Sequence, residues 1–290
     1  MFKEVLVGID GTPHGRDAIA LARQLADAQA QLTLVHVHWR RLWSGRPVAV
    51  EYFEAETAHS WHLLEREKEA SGISAELASV FATSPGRGLH LEAEQRRADL
   101  IVVGSSGRGF LGRAVLGDDA RAAINGASCA VAIAPHGFAD ARRRLERIGV
   151  AYNGTPESDA ALAAARGIAA RTDATLSALD VALLPALAYG YTADRSRYVR
   201  EEIDAACRVV EGLADVAGRA VGGLPGEELA RFSGEVDLLV VGSRGYGPIG
   251  RLILGSTSNY LARHARSALL VLPRPEVDRE QPLAAARAGA

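Results

Sequence analysis

The chain has 290 residues, 48% of them hydrophobic, and a formal net charge of −2 at pH 7. This length is enough for two domains of ordinary size, and the small net charge argues against nucleic acid as a general partner. The two cysteines, Cys129 and Cys207, have neither a disulfide nor a metal-binding spacing, so we expect a reducing, cytoplasmic location. No apolar run approaches the roughly 20 residues of a membrane span, and the opening residues do not resemble a signal peptide.

The two halves of the chain repeat the same order of elements. Each begins with an apolar strand that ends at a polar residue before Gly-Thr-Pro, namely Asp10 in the first half and Asn153 in the second. Helices follow, because alanine dominates the next stretch and favours helix, and second strands come after them. The predicted bounds are 17–28 and 159–170 for these helices, and 32–37 and 176–181 for the second strands.

The remaining elements also follow the same order in the two halves. Long helices are predicted over 54–70 and 194–214, third strands over 75–81 and 216–221, and further helices over 88–97 and 227–232. Apolar fourth strands then end at Gly104 and Gly242. The fifth strands, 130–134 and 269–272, are closed by Pro135 and Pro273.

Strands that alternate with helices predict right-handed βαβ units and doubly wound parallel sheets. We therefore predict an α/β protein of two tandem doubly wound domains, each a five-stranded parallel sheet flanked by helices. The predicted domains are residues 1–140 and 146–275. Residues 276–290 lack apolar periodicity and are predicted to form a flexible tail.

The most informative stretch follows the fourth strand of the second half. Gly242 and Gly245 are followed, after nine further residues, by Gly255 and Ser256. Glycine permits positive φ and a close ligand approach, and a helix N-terminus offers N–H groups and a positive dipole end to phosphate. Ser256, predicted at or near the N-cap, can donate to a phosphate oxygen. We interpret the stretch as a phosphate loop at the carboxyl end of a parallel strand; the alternative is an ordinary strand–turn–helix connection.

This spacing, Gly-x-x-Gly, nine residues and then Gly-Ser/Thr, resembles the ATP-binding signature of the universal stress protein family. The resemblance extends to the order of elements in both halves. It implies an adenine-nucleotide alpha-hydrolase-like fold and ATP, with Mg²⁺ carried on the nucleotide, as the cofactor. It also implies a nucleotide-dependent switch in the stress response with little or slow hydrolysis. The alternative is a stress scaffold that does not bind nucleotide and works only through protein association.

The resemblance also assigns site residues. The residue that ends the first strand and the backbone of the residue that ends the second would contact base and ribose, and the loop would contact phosphate. In the second half the predicted set is Ala151, Asn153, Val181, Val241, Gly242, Ser243, Arg244, Gly245, Gly255, Ser256, Thr257 and Ser258. In the first half the corresponding set is Asp10, Val37, Gly104, Gly107 and Gly117.

The two predicted sites differ in one residue each. Asn153 stands where the family has Asp but keeps an acceptor oxygen, so we expect weaker binding rather than none. Asp118 stands where the signature has Ser/Thr. A carboxylate there would cap the helix and repel phosphate, by up to about 4 kcal/mol at about 4 Å and an effective dielectric of about 20. We therefore predict one working nucleotide site, in the second half.

Other activities lack the residues that they need. Lys3 and Lys68 are the only lysines, which excludes a P-loop and leaves Arg244 as the preferred phosphate partner. No general base or catalytic triad is evident, so no catalytic residue is assigned. His36 and His38 share one face of a strand, but packing is the favoured interpretation, and no metal ligand is assigned.

The resemblance also predicts how the halves associate. Family members pair through their fifth strands, and a tandem chain can form that contact internally, between residues 131–133 and 269–272. The pairing would cover strand edges that are otherwise a liability. We predict an internal pseudo-dimer, with a further homodimer left open and the protein partner unidentified.

Overall fold

The computed structural model describes residues 2–39, 50–105, 125–141, 144–183, 193–243, 252 and 255–275. The strands of the first half are β1 (Phe2–Gly8), β2 (Ala26–Trp39), β3 (Glu76–Ala82), β4 (Leu100–Gly104) and β5 (Ala130–Ala134). Those of the second half are β6 (Arg147–Ala151), β7 (Thr175–Leu183), β8 (Ala217–Gly223), β9 (Leu238–Gly242) and β10 (Ala268–Leu272).

The helices among these residues lie between the strands. They are α1 (Pro13–Leu25), α2 (Val50–Ser71), α3 (Pro85–Arg96), α4 (Pro156–Thr172), α5 (Ala193–Glu211), α6 (Pro225–Phe232) and α7 (Ser256–His264). None of these described helices has the length and apolar character needed to cross a membrane. The predicted tail, 276–290, lies outside the described residues.

All ten strands form one sheet, in the order β3-β2-β1-β4-β5-β10-β9-β6-β7-β8. Strands within each half pair in parallel. The halves meet at β5 and β10, which pair antiparallel with Leu269 opposite Ile133 and Val271 opposite Val131. The predicted fold of two doubly wound five-stranded units is confirmed, and the fifth strands are paired as predicted.

The sheet carries a hydrophobic core on each face. Along β4, Leu100 and Val102 belong to one core, and Ile101 and Val103 belong to the other. This period of two is typical of a strand that is buried on both faces. The first core takes side chains from α1, α2 and α4, and the second from α3, α6 and α7. Each core contains residues of both halves, so the apolar interior is continuous across the junction.

Among the helices that begin before their predicted starts, those predicted to start at 17, 88 and 159 share a Ser/Thr-Pro beginning. The helices α1, α3 and α4 begin at Pro13, Pro85 and Pro156. In each case the preceding Thr or Ser is the N-cap, and its side-chain oxygen accepts a backbone N–H of the first turn. Proline suits the first helical position, because its φ is already helical and its missing N–H would have no partner there.

The predicted end of the first helix at residue 28 is wrong. The helix α1 ends at Leu25, and β2 begins at Ala26, well before the predicted start at 32, with an extended φ of −66° and ψ of 144°. Arg171 of α4 donates to the carbonyl oxygens of Gln24 and Ala26. A side chain from the other half of the chain therefore satisfies carbonyls at this helix end, and no local sequence pattern could show that contact.

Replacing Leu270 by alanine tests how far stability depends on the junction between the halves. Leu270 is fully buried (0% exposed) in β10, opposite Ala132 of β5. Its truncation should lower the free energy of unfolding by about 2–5 kcal/mol, as measured by urea denaturation. Leu91→Ala, at a position on α3 that is 40% exposed, is the matched control and should change it by about 0.5 kcal/mol or less. Equal effects at the two positions would contradict a central role for the junction.

Candidate functional site

A cavity opens at the carboxyl ends of β6, β7 and β9. Its volume is about 640 Å³, which lies within the range of small-molecule sites in proteins. The first turns of α4 and α7 line one side, and Pro225 and Leu229 of α6 contribute apolar surface. Open α/β sheets bind ligands at this edge, so the position of the cavity agrees with the sequence-based expectation.

Most of the residues predicted for the second half line this cavity. They are Ala151, Asn153, Val181, Val241, Gly242, Ser243, Gly255, Ser256, Thr257 and Ser258. The other two, Arg244 and Gly245, lie outside the described residues. The structure thus brings together the predicted base and phosphate ends of the site, while their role as ligands stays a prediction.

The helix α7 presents its N-terminus to the cavity. Gly255 is the N-cap, so Ser256 is the first helical residue, next to the cap as predicted. The Ser258 hydroxyl accepts a hydrogen bond from Gly255 N–H at 2.8 Å and closes the start of the helix. The first turn contains no acidic residue. The positive end of the helix dipole is therefore not neutralised by a carboxylate of the same turn.

Gly242 has a packing role that does not depend on a ligand. A Cβ at this position would lie 2.7 Å from the carbonyl oxygen of Glu157, at the start of α4. The backbone of α4 can approach the end of β9 only because the residue is glycine. Gly104 occupies the same place in the first half, where an added Cβ would meet the carbonyl oxygen of His14.

Two serines that follow these glycines have buried hydroxyls. The backbone N–H of Ser243 donates to Leu272 at 2.9 Å, and that of Ser105 donates to Ala134 at 2.9 Å. The side-chain oxygens of both serines are buried and have no hydrogen-bond partner within the described ranges. Ser243 is one of the residues that line the cavity, and Ser105 shows that a buried hydroxyl at this position is common to both halves.

Asp10 and Asn153, which lie just after the ends of β1 and β6, use their side chains in the same way. Asn153 Oδ1 accepts a hydrogen bond from the Thr155 hydroxyl at 2.8 Å. Asp10 Oδ1 accepts from the Thr12 hydroxyl at 2.7 Å and from Thr12 N–H at 3.0 Å. The change from Asp to Asn therefore keeps this local turn and removes one negative charge.

The cavity also contains charged residues that the sequence analysis did not assign. Glu157 Oε1 lies 3.5 Å from Arg274 Nε, and both residues line the cavity. Asp180 is buried within β7. Burial raises the pKa of its carboxyl, and a hydrogen bond from the Val181 backbone opposes that rise. A charged residue inside the apolar second strand is the signal that could have identified Asp180.

The first half differs at the corresponding position. The bonds from Ile9 N–H to Val35 and from Tyr152 N–H to Leu179 are equivalent, so Val37 and Val181 correspond, as predicted. By the same correspondence, His36 of the first half is equivalent to Asp180 of the second half. His36 Nδ1 lies 2.7 Å from the Ile9 carbonyl oxygen, which occupies the ring within the protein.

The other first-half predictions can be followed only in part. His38 Nε2 lies 2.8 Å from Ser79 Oγ, and its ring stacks on Phe81 at 4.4 Å. His36 and His38 lie on one face with their ring centroids 5.0 Å apart, and both make contacts typical of packed histidines. The predicted residues Gly107 and Gly117, together with Asp118, lie outside the described residues.

Comparison with known proteins agrees with the fold. The sequence model of the Universal stress protein family matches residues 1–135 and 144–273. Universal stress protein Rv2005c of Mycobacterium tuberculosis is 28% identical over 292 aligned residues, which cover 92% of this chain and 96% of that protein. The crystal structure of a universal stress protein from Archaeoglobus fulgidus covers 94% of this chain and 98% of its own, with a TM-score of 0.65 and 19% identity. A putative universal stress protein from Pseudomonas aeruginosa gives a TM-score of 0.64 with 20% identity, covering 94% and 93%.

The paired five-stranded units and the cavity at a carboxyl edge define a tandem doubly wound α/β protein. One family model matches both halves of the chain, which identifies the protein family. The chain belongs to the universal stress protein family, as a member with two tandem units.

Replacing Asp180 by asparagine should make stability less dependent on pH. Because burial raises the pKa of Asp180 above its ordinary value of 3.8, ionisation opposes folding. Relative to the Asp180→Asn variant, the wild-type chain should therefore lose stability as the pH rises from the ordinary carboxyl range through the raised pKa. Urea denaturation of both proteins across this range measures the difference, in which all other groups cancel. A difference that does not change with pH would contradict the raised pKa.

Proposed function

We propose that the chain is an ATP-binding universal stress protein of the cytoplasm that acts as a nucleotide-dependent switch, with little or slow hydrolysis. The proposal rests mainly on one observation: the glycine- and serine-rich start of α7 and the polar ends of β6 and β7 line one cavity of about 640 Å³. A nucleotide has an anionic end and an aromatic end, and the cavity offers surfaces suited to each.

The phosphates would lie at the start of α7. The backbone N–H groups of a first helical turn have no partner within the helix, and the serine hydroxyls at Ser243 and Ser256 can donate to phosphate oxygens. Arg274 is the cation that lines this cavity among the described residues. Mg²⁺ would be carried on the phosphates, where it offsets charge that this arginine leaves unneutralised.

The base would lie at the other end, between β7 and α6. Pro225 and Leu229 supply apolar surface there, and Val181 lines the same end of the cavity. Asp180 also lines the cavity, and its carboxylate can accept a hydrogen bond from the adenine amino group.

The positions of the two carboxylates in the cavity support the proposal that ATP hydrolysis is slow. A general base for hydrolysis must be within hydrogen-bond reach of the attacking water. Asp180 lies on β7, away from β9 and α7 where the phosphates would bind, and Glu157 is held close to Arg274. Neither carboxylate is thus suited to act as a general base. Occupancy rather than hydrolysis would then be the signal that a partner detects.

The same two carboxylates favour the second candidate, a scaffold that works without nucleotide. Glu157 and Asp180 add negative charge to a cavity whose described lining contains one arginine, and phosphate binding would have to overcome this charge. Gly242 also has a purely structural reason to be glycine. The two candidates differ in whether the purified chain holds nucleotide.

Replacing Ser256 by aspartate tests the phosphate end directly. The variant copies the order Gly-Asp found at Gly117–Asp118, and Ser256 is exposed, so folding should be retained. An acidic residue in a first helical turn is favourable to the helix but repels phosphate. We expect ATP affinity in isothermal titration to fall at least about tenfold, or about 1.4 kcal/mol, and bound nucleotide to be lost from natively purified protein.

The matched control is Ser256→Asn, which has nearly the same shape without the charge and should retain most of the affinity. Equal losses in both variants would show that geometry rather than charge is responsible. No nucleotide in the wild-type protein, even after addition of Mg-ATP, would favour the scaffold.

The base end is tested separately by measuring ATP affinity in the Asp180→Asn variant. The substitution keeps the shape of the side chain but replaces a charged acceptor by a neutral one, so the hydrogen bond from the adenine amino group should weaken and ATP affinity should fall severalfold. An unchanged affinity would show that Asp180 does not contact the base.

A further inference from the structure

We propose that His14, Asp17 and His136 form a binding site for a divalent transition-metal ion of the zinc type. Their ligand atoms all lie within 4.8 Å of one another. His136 Nδ1 is 4.0 Å from Asp17 Oδ2, and the two imidazole rings meet edge to face with their centroids 5.2 Å apart. The inference does not depend on nucleotide binding.

Asp17 fixes the geometry of the three groups. It is 3% exposed, and its carboxylate accepts hydrogen bonds from Gly137 N–H at 2.9 Å and Ala139 N–H at 2.8 Å. These bonds hold the turn after β5, from which His136 extends. His14 lies three residues before Asp17 on α1, a spacing that places two side chains on one side of a helix. The donor groups are therefore gathered before any metal binds.

The equivalent place in the second half has different chemistry. Arg274 follows the proline that closes β10, as His136 follows the proline that closes β5. Glu157 follows Thr-Pro at the start of α4, as His14 does at the start of α1. Glu157 and Arg274 form an ion pair at 3.5 Å, whose opposite charges match. In the first half, two imidazoles would repel each other if both were protonated, whereas two neutral imidazoles with a carboxylate make a metal-binding donor set.

This donor set selects among metals. Imidazole suits zinc, cobalt, nickel and copper, whereas magnesium and calcium prefer oxygen ligands. Zinc bonds of about 2.0–2.2 Å would place the ligand atoms at most about 4.4 Å apart, so the groups must close slightly around an ion. The His136 side chain is 58% exposed and has room for that movement. Three protein ligands would leave a coordination position open to water.

A bound ion would connect two segments at a defined place in the first half. It would join the first turn of α1 to the turn after β5, where the linker between the halves begins. The backbone of His14 also packs against Gly104 at the end of β4, which is where the predicted phosphate loop of the first half leaves the sheet. Because the ligands come together only in the folded chain, the ion would stabilise it.

Cobalt titration of the full chain tests the proposal. Protein stripped with a chelator and free of nucleotide should bind about one equivalent of Co²⁺ with visible absorption bands of a low-symmetry site, and Zn²⁺ but not Mg²⁺ should remove them. His14→Ala and His136→Ala should each weaken Co²⁺ binding at least about tenfold. Absence of these bands, or unchanged affinity in both variants, would overturn the proposal.

His59 and His62 provide the matched control. Both are exposed on α2 at a spacing of three, so they could bind cobalt adventitiously. The His59→Ala/His62→Ala double variant should retain the bands, and their loss in this variant alone would overturn the proposal. As a second readout, Zn²⁺ should raise the thermal midpoint of the wild type and of this control, but not that of His136→Ala. The His136→Ala variant should fold, because Asp17 holds the turn through backbone N–H groups. If Zn²⁺ still raised the thermal midpoint of this variant, the result would count against the site.

Discussion

The antiparallel pairing of β5 with β10 is the constraint on which the rest of the structure depends. It joins two parallel sheets into one, in which β3 and β8 are the outermost of the described strands. The strands of the two halves consequently run in opposite directions, so their carboxyl ends lie at opposite edges of the sheet. The ligand cavity of the second half and the His14–Asp17–His136 cluster of the first are therefore on different edges. The connection from β5 to β6 can be short for the same reason, because β5 ends on the side of the sheet where β6 begins.

The two halves share one backbone arrangement but differ in the side chains at the carboxyl ends of their strands. In both halves an Asp or Asn oxygen holds the turn before the first helix, and a glycine lets that helix approach the fourth strand. These contacts are required by the fold and are the same. What differs is the chemistry placed at the carboxyl edge, such as Asp180 against His36.

The sequence predicts more of the fold than of the site, for physical reasons. Buried parallel strands are continuous apolar runs, so β4, β5, β9 and β10 are visible locally. The early starts of α1, α3 and α4 could also have been read from their Ser/Thr-Pro pairs. The contact of Arg171 with the carbonyl oxygens of Gln24 and Ala26 could not, because its partners are far apart in the chain. For the same reason Glu157 and Arg274, or His14 and His136, are not recognisable as partners until the strands bring them together.

The cavity contains a buried carboxyl group, that of Asp180, which lowers stability when it ionises and which the fold does not require. The Asp180 carboxyl, buried within β7, opposes folding when it ionises, and the described residues place no cation beside it to offset this. The first half shows that the fold does not require such a group, because His36 at the same position is bound by a backbone carbonyl oxygen. In the proposed ATP complex, the adenine amino group would donate to this carboxyl and offset part of that cost.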